Sequence, residues 1–165
     1  MFNYRKIEAG DDPLIAKIIR INLENHHLNI PGTVYFDPEL DHLSAYYDCN
    51  PEKRVYLIAL DESGKVIGGV GVAEFDGFDN CAELQKLYLE DSVKGRGYGK
   101  ALVQLAQNWA KSAGYQNMYL ETHTNLTTAV RLYEKQGFHQ IEKPDAVLHG
   151  TMNLFYMKEL ESTKP

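Results

Sequence analysis

Cysteine is scarce in this chain: Cys49 and Cys81 are the only two in 165 residues. They form no C-x-x-C pair and are too few for a disulfide framework, so a stapled secreted scaffold is excluded and both are read as reduced, packed thiols. No apolar stretch approaches the roughly 20 residues that span a bilayer. Residues 1–12 carry charges where a signal peptide would have its apolar segment. A cytoplasmic protein with no membrane partner is expected. Positive charge is also short, with 17 Lys and Arg against 23 Asp and Glu, a net of −6. Nonspecific nucleic-acid affinity comes mainly from neutralising phosphates, so a general nucleic-acid partner is excluded while a local basic pocket is not. Repeats, low-complexity runs and Pro/Gly/Ser-rich linkers are missing too, which predicts a single domain over 1–165. What remains is ordinary: 44% hydrophobic and 24% charged residues, close to the average of folded domains. A chain of this length buries roughly 68–70% of its unfolded surface without staples.

The pattern divides in two. Phe2–Ile7 reads as a first strand, and Asp11-Asp12-Pro13 places cap-type acids before a helix-starting proline. Leu14, Ile15, Ile18 and Ile19 then recur at helical spacing to about Glu24. Pro31, Gly32 and Pro38 break the next stretch into turns, with a short helix predicted over Leu40–Tyr47. Val55–Leu60, Lys65–Phe75 and Cys81–Leu89 are strands joined by connections short enough for hairpins. Lys65–Phe75 is rich in glycine, at 68, 69 and 71. Beyond them the period changes. Leu102, Ala106, Trp109 and Ala113 mark a helix from Gly97 stopped by Gly114. Met118–Glu121 is a strand, and Leu126, Ala129, Val130 and Tyr133 mark a helix ended by Gly137. Phe138–Ile141 and Met152–Lys158 are the last strands. The order predicts an α/β (α+β) fold with a mixed, mostly antiparallel central sheet flanked by helices.

The segment Lys94-Gly95-Arg96-Gly97-Tyr98-Gly99-Lys100 lies between a strand and a helix. Glycines allow close backbone approach, and a helix N-terminus offers unpaired N–H groups and the positive end of its dipole. With Lys94, Arg96 and Lys100 added, the chemistry is that of a phosphate or pyrophosphate cradle rather than an ordinary solvated turn. A nucleoside-triphosphate loop needs Ser or Thr after Gly-Lys; Ala101 stands here. A dinucleotide site needs G-x-G-x-x-G with an acid about 20 residues on. The spacing here is G-x-G-x-G, although Glu121 ends the next strand, so a dinucleotide oxidoreductase stays as an alternative.

Lys94–Gly99 resembles the Gln/Arg-x-x-Gly-x-Gly/Ala signature of the GCN5-related N-acetyltransferases (GNAT), with Lys94 where glutamine or arginine is usual. The resemblance extends through Leu87-Tyr88-Leu89 and through Asn125 with Leu132–Phe138, covers residues 54–142, and matches the N-terminal third only in outline. It implies acetyl-CoA as the acetyl donor, no metal, and a primary amine as acceptor, either a small molecule or a peptide. It also implies cofactor contacts from Leu87, Tyr88, Leu89, Lys94, Gly95, Arg96, Gly97, Tyr98, Gly99, Lys100, Asn125, Ala129 and Tyr133. Homodimers are common in the family, though no residue here demonstrates one. A non-catalytic CoA-binding sensor is the other alternative.

Acyl transfer from a thioester needs a neutral amine, a stabilised oxyanion and a protonated leaving thiol. A lysine-type amine has a pKa of about 10.4 and an α-amine about 8, so a base helps. Glu83 lies 13 residues before Arg96, the interval of the general-base glutamate in the histone-acetyltransferase branch of the family. In a regular strand Glu83, Gln85, Leu87 and Leu89 share one face. The competing reading of Glu83 is a solvated strand carboxylate. Amides of Leu87–Leu89 would meet the oxyanion. Tyr133 matches the family's acid tyrosine; its competing reading is core packing on the stripe of Leu126, Ala129 and Val130. Asn125 is expected at a helix N-cap as well as against the cofactor. His26, His27, His42, His123, His139 and His149 show no metal-ligand spacing, and His123 and His149 are the two placed where they could touch substrate. The pairs Tyr35-Phe36 and Tyr46-Tyr47 are candidates for lining the acceptor pocket, with packing as the equal alternative.

Overall fold

The computed structural model describes residues 2–147 and 150–161; His149 lies outside the described residues. The chain opens with β1 (Asn3–Lys6) and α1 (Asp12–Asn25). Two 3₁₀ turns, Val34–Phe36 and Pro38–His42, then lead into the short α2 (Leu43–Asp48). β2 (Val55–Leu60), β3 (Val66–Glu74) and β4 (Cys81–Leu89) form the expected antiparallel meander. α3 (Tyr98–Ser112), β5 (Asn117–Thr122), α4 (Thr127–Lys135), β6 (His139–Ile141) and β7 (Leu154–Glu159) complete the chain. The α/β class with a mixed sheet is as the pattern predicts.

Among the described residues seven strands run in the order β1-β2-β3-β4-β5-β7-β6, and of their pairings only β4–β5 is parallel. β7 therefore inserts between β5 and β6, leaving β6 as the edge. The apolar residues bury on both sides. Val55, Leu57, Val70, Val72 and Leu84 pack with Leu102, Val103 and Ala106 of α3. Tyr56, Ile58 and Ala73 pack with Ile15, Ile19 and Leu23 of α1 and Tyr47 of α2.

Three local expectations change. The acids before Pro13 do not cap α1 through their side chains. Asp11 instead accepts from Arg5 and from the Glu8 amide, and Asp12 accepts from the amide and hydroxyl of Ser44, tying α1 to α2. Cys81 is packed but Cys49 is exposed at the end of α2, where no neighbouring element covers it. Asn125 is not an N-cap: α4 begins after Leu126, and the Asn125 amide side chain donates to the His26 carbonyl at 3.0 Å.

Two glycines of β3 make room for aromatic rings. A Cβ at Gly71 would collide with the Tyr47 hydroxyl, and one at Gly69 with the Tyr56 ring. Those rings tilt against each other at 5.3 Å. Opposite them β4 carries a bulge. The register steps from Gly69↔Tyr88 to Gly71↔Gln85, so Lys86 and Leu87 face one β3 residue. Lys86 sits at φ 50, and its carbonyl accepts from the Tyr56 hydroxyl at 2.8 Å. An extra residue in one strand breaks the two-residue alternation.

Candidate active site

β4 and β5 pair only at Cys81↔Asn117, Ala82↔Met118 and Glu83↔Tyr119. Beyond Glu83 they splay apart, and a cavity of about 450 Å³ opens between them. The second half of β4 forms its floor, the loop after β4 one end, and Thr128, Ala129, Leu132 and Tyr133 of α4 one wall.

The loop end has the chemistry of an anion cradle. Gly95 and Gly97 adopt left-handed φ of 80° and 86°, and an added Cβ would meet nothing within 4 Å. The backbone conformation itself, not crowding, calls for glycine there. Gly97 is the N-cap of α3 and supplies no side-chain oxygen, so the helix's first N–H groups and its positive dipole end stay available to a bound anion. Gly99 serves packing: its missing Cβ would stand 3.2 Å from Leu132 Cδ2. Lys94 Nζ is held at 2.7 Å by Asp91 and at 2.7 Å by Asn22 Oδ1. Asn22, buried on α1, also donates to the Leu89 carbonyl at 2.8 Å. Helix α1 thus clasps both the end of β4 and the cation of the loop.

At the opposite end Glu83 stands on the last paired step of β4. Gln85 Nε2, one of its partners, donates to Glu83 Oε1 at 2.9 Å. Glu121 faces it from β5, where it accepts from the Tyr119 hydroxyl at 2.9 Å. Tyr133 is buried and packs edge-on to Phe138 with centroids 6.0 Å apart. Burial holds its hydroxyl well above the usual phenol range, so it is a protonated donor at neutral pH. That hydroxyl makes no hydrogen bond among the described residues.

Of the residues singled out in the sequence, Glu83, Leu87, Tyr88, Leu89, Lys94, Gly95, Gly97, Gly99, Lys100, Ala129 and Tyr133 line this one cavity. Arg96, Tyr98 and Asn125 are not in its lining; Tyr98 packs against Phe2 at 5.6 Å. Because of the bulge, Glu83 and Gln85 do not share a face with Leu87 and Leu89. Gln85 meets Tyr47 on the α1–α2 side, whereas Leu87 and Leu89 pack on the α3 side. Neither Tyr35-Phe36 nor Tyr46-Tyr47 lines the cavity: Phe36 is 59% exposed and Tyr35 bonds Glu24, while Tyr47 reaches the site through Gln85. His123 accepts from the Asn125 amide and stays outside. His26, placed among the ordinary histidines, does line the cavity, its Nδ1 2.8 Å from the Asn22 carbonyl. A carbonyl only accepts, so that ring carries its proton on Nδ1.

One cavity between splayed strands thus joins a loop suited to an anion, the Glu83 carboxylate and the Tyr133 phenol. Comparison with known proteins gives the family. The acetyltransferase (GNAT) family model matches residues 21–138. The chain is 34% identical over 140 residues to the Escherichia coli (strain K12) uncharacterized N-acetyltransferase YjgM, covering 84% of this chain and 82% of that one. An acetyltransferase of GNAT family from Staphylococcus aureus Mu50 has the same fold, with a TM-score of 0.83 at 19% identity, over 98% of this chain and 100% of that one. A phosphinothricin acetyltransferase from Sinorhizobium meliloti, solved with acetyl-CoA, matches at a TM-score of 0.76 and 25% identity, over 99% and 92%. The chain belongs to the GNAT acetyltransferase family and is an acetyl-CoA-dependent N-acetyltransferase.

Proposed function

We propose that this protein, as one domain over 1–165, transfers the acetyl group of acetyl-CoA to a primary amine by direct attack on the thioester. The observation that carries the reading is the single cavity that joins the left-handed glycine cradle to Glu83 and Tyr133. The pyrophosphate would lie on the amides of Gly95–Gly99 and the first turn of α3, with Lys94 and Lys100 beside it. The acceptor would enter at the Glu83 end. Glu83 takes the ammonium proton, directly or through water, and frees the amine lone pair. Amides on the open edge of β4, from Leu87 to Leu89, stabilise the oxyanion. Tyr133 gives its proton to the departing sulfur as the C–S bond breaks, and the proton that the attacking nitrogen loses in becoming an amide restores the phenol, directly or through water. The two carboxylates at this end, Glu83 and Glu121, favour an acceptor that arrives as a cation. A cytoplasmic setting accompanies this reading, with both cysteines free as it requires.

A dinucleotide oxidoreductase drops out, because the sheet is antiparallel apart from one pair and is not doubly wound. A CoA-binding sensor without turnover is separated by experiment. Thermal melting with acetyl-CoA, CoA, NAD and ATP at equal concentrations is expected to show stabilisation by the first two only. An amine screen with thiol-release detection follows. Stabilisation by NAD or ATP alone, or by none of the four, would reject the acetyl-CoA assignment. Stabilisation by CoA without turnover of any amine would leave the sensor.

A further inference from the structure

A hydrogen-bonded chain leads from Glu83 in the cavity lining to the α1–α2 side of the sheet, and its other two members, Gln85 and Tyr47, have no part in the steps above. Tyr47 Oη donates to Gln85 Oε1 at 2.7 Å, and Gln85 Nε2 donates to Glu83 Oε1 at 2.9 Å. Its polarity follows from its ends. An ionised carboxylate only accepts, so Gln85 must present its NH₂ to Glu83 and its oxygen to Tyr47, and Tyr47 must then donate. Tyr47 is 2% exposed, and burial keeps its phenol protonated. Gln85 thus presents a donor to Glu83 Oε1, and because an N–H bond to a charged acceptor is stronger than one to a neutral acid, the chain favours the carboxylate form.

The fold sets this chain in place at three points. Gly71 leaves the space that the Tyr47 hydroxyl occupies. Tyr46 stands edge-on to Tyr47 at 4.9 Å, and Arg54 lies 4.5 Å over the Tyr46 ring. The bulge begins only at Lys86, so Glu83 and Gln85 keep the same face and remain within reach of each other.

We propose that Gln85, oriented by Tyr47, is a positioning residue that holds the Glu83 carboxylate ionised and aimed into the cleft. This rests on the reading of Glu83 as base. The groups around Glu83 set the direction of the effect. Cys81 and Lys86 lie on its own strand, Tyr119 and Glu121 on β5, and Tyr46 and Tyr47 on α2; Asp37 and Glu39 stand 3.8 and 3.9 Å from Lys86. The negative charge of Glu121 and the half-buried setting favour the neutral acid. A donor such as Gln85 works against both.

The test uses the full chain labelled with ¹³C-carboxyl glutamate, with the Glu83 resonance assigned by its loss in Glu83→Gln. The Glu83 titration midpoint is expected to rise by about one pH unit in Gln85→Leu, the order of one hydrogen bond to a charged group. Tyr47→Phe should raise it less, and Gln85→Glu more, because two adjacent carboxyls resist joint ionisation. Turnover of the first amine found in the screen should follow, with the acid limb of kcat/KM displaced by the same amount and the stabilisation by CoA unchanged. An unmoved midpoint in Gln85→Leu, or a loss that appears only as weaker CoA stabilisation, would overturn the positioning role while leaving the base reading intact. A moved midpoint combined with a parental acid limb in Glu83→Gln would overturn the base reading, and Gln85's catalytic role with it.

Discussion

Gln85 and Leu87 stand two positions apart on β4, yet Gln85 bonds Tyr47 on the α1–α2 side of the sheet while Leu87 packs on the α3 side. The residue inserted between them, Lys86, makes the reversal. One strand thus turns the polar pair Glu83 and Gln85 to the α1–α2 side and its apolar end, Leu87 and Leu89, to the α3 side.

Tyr133→Phe keeps the ring against Phe138 and removes only the hydroxyl. Turnover is expected to fall about 100-fold or more, the usual yield of a positioned acid, with acetyl-CoA affinity little changed. Steady-state rates and calorimetric titration with CoA check the two halves separately. An unchanged kcat would remove the acid role and leave Tyr133 as a core residue.

Glu83→Gln removes a base without changing size. The loss should be greatest at low pH, where the acceptor amine is most fully protonated, and shrink toward the amine's own pKa of about 8–10. The profile of kcat/KM against pH measures it. A small loss, uniform across pH, would point to a structural carboxylate.

The parts of this arrangement that the sequence made legible are local ones. Short apolar-rich runs bounded by turns put β2 and β4 at their observed limits, and Gly114 and Gly137 mark real helix ends, because a short run and a left-handed stop depend on a few neighbours. The cradle was legible for the same reason. What escaped is long-range. The bulge depends on Tyr56, 30 residues from Lys86, and Asn22 meets Leu89 across 67 residues. Asn22 did leave a trace, as a polar residue four positions after Ile18 on the buried stripe of α1. The insertion of β7 between β5 and β6 left none, since two short strands in a row pair with each other under either order.

Gly97→Ala places a side chain where nothing obstructs it but where φ is 86°. The cost is backbone strain alone, about 1–2 kcal/mol, which for a chain of this size lowers Tm by about 2–8 °C. If the amides of this turn hold the pyrophosphate, stabilisation by CoA should also weaken. Scanning calorimetry with and without CoA reads both. A variant that melts and binds like the parent would mean the loop adopts another conformation at no cost.

The two thiols should differ sharply in reactivity. Cys49 is exposed, whereas Cys81 is buried on β4 in a cluster with Phe75, Tyr119 and Phe155, and burial pushes its thiol up to about 12. The thiolate is the reactive form. At pH 8 a disulfide reagent is therefore expected to titrate one thiol per native chain promptly and the second only in denaturant. Rapid modification of both, or of neither, in the native protein would contradict this packing.

Asp11 makes stability depend on acid in a way whose sign can be fixed. It accepts from Arg5 Nη1 at 2.7 Å, Arg5 Nη2 at 3.0 Å and the Glu8 amide at 2.8 Å. The Arg5 hydrogen bond, foremost, holds its carboxyl below the ordinary range. A folded pKa below the unfolded one, about 3.9, means the contribution is complete above that unfolded value and disappears as pH falls through the folded one. Asp11→Asn should therefore cost about 1–2 kcal/mol at pH 7 and progressively less toward pH 3. Asp41, Asp61, Glu74 and Asp91 are also held low, so the parent loses stability in acid for several reasons at once. The difference between parent and variant isolates Asp11, because the other four are common to both. Urea unfolding at pH 7, 5 and 3 measures that difference; a gap that stays constant across the range would show that the Arg5–Asp11 pair does not link folding to protonation.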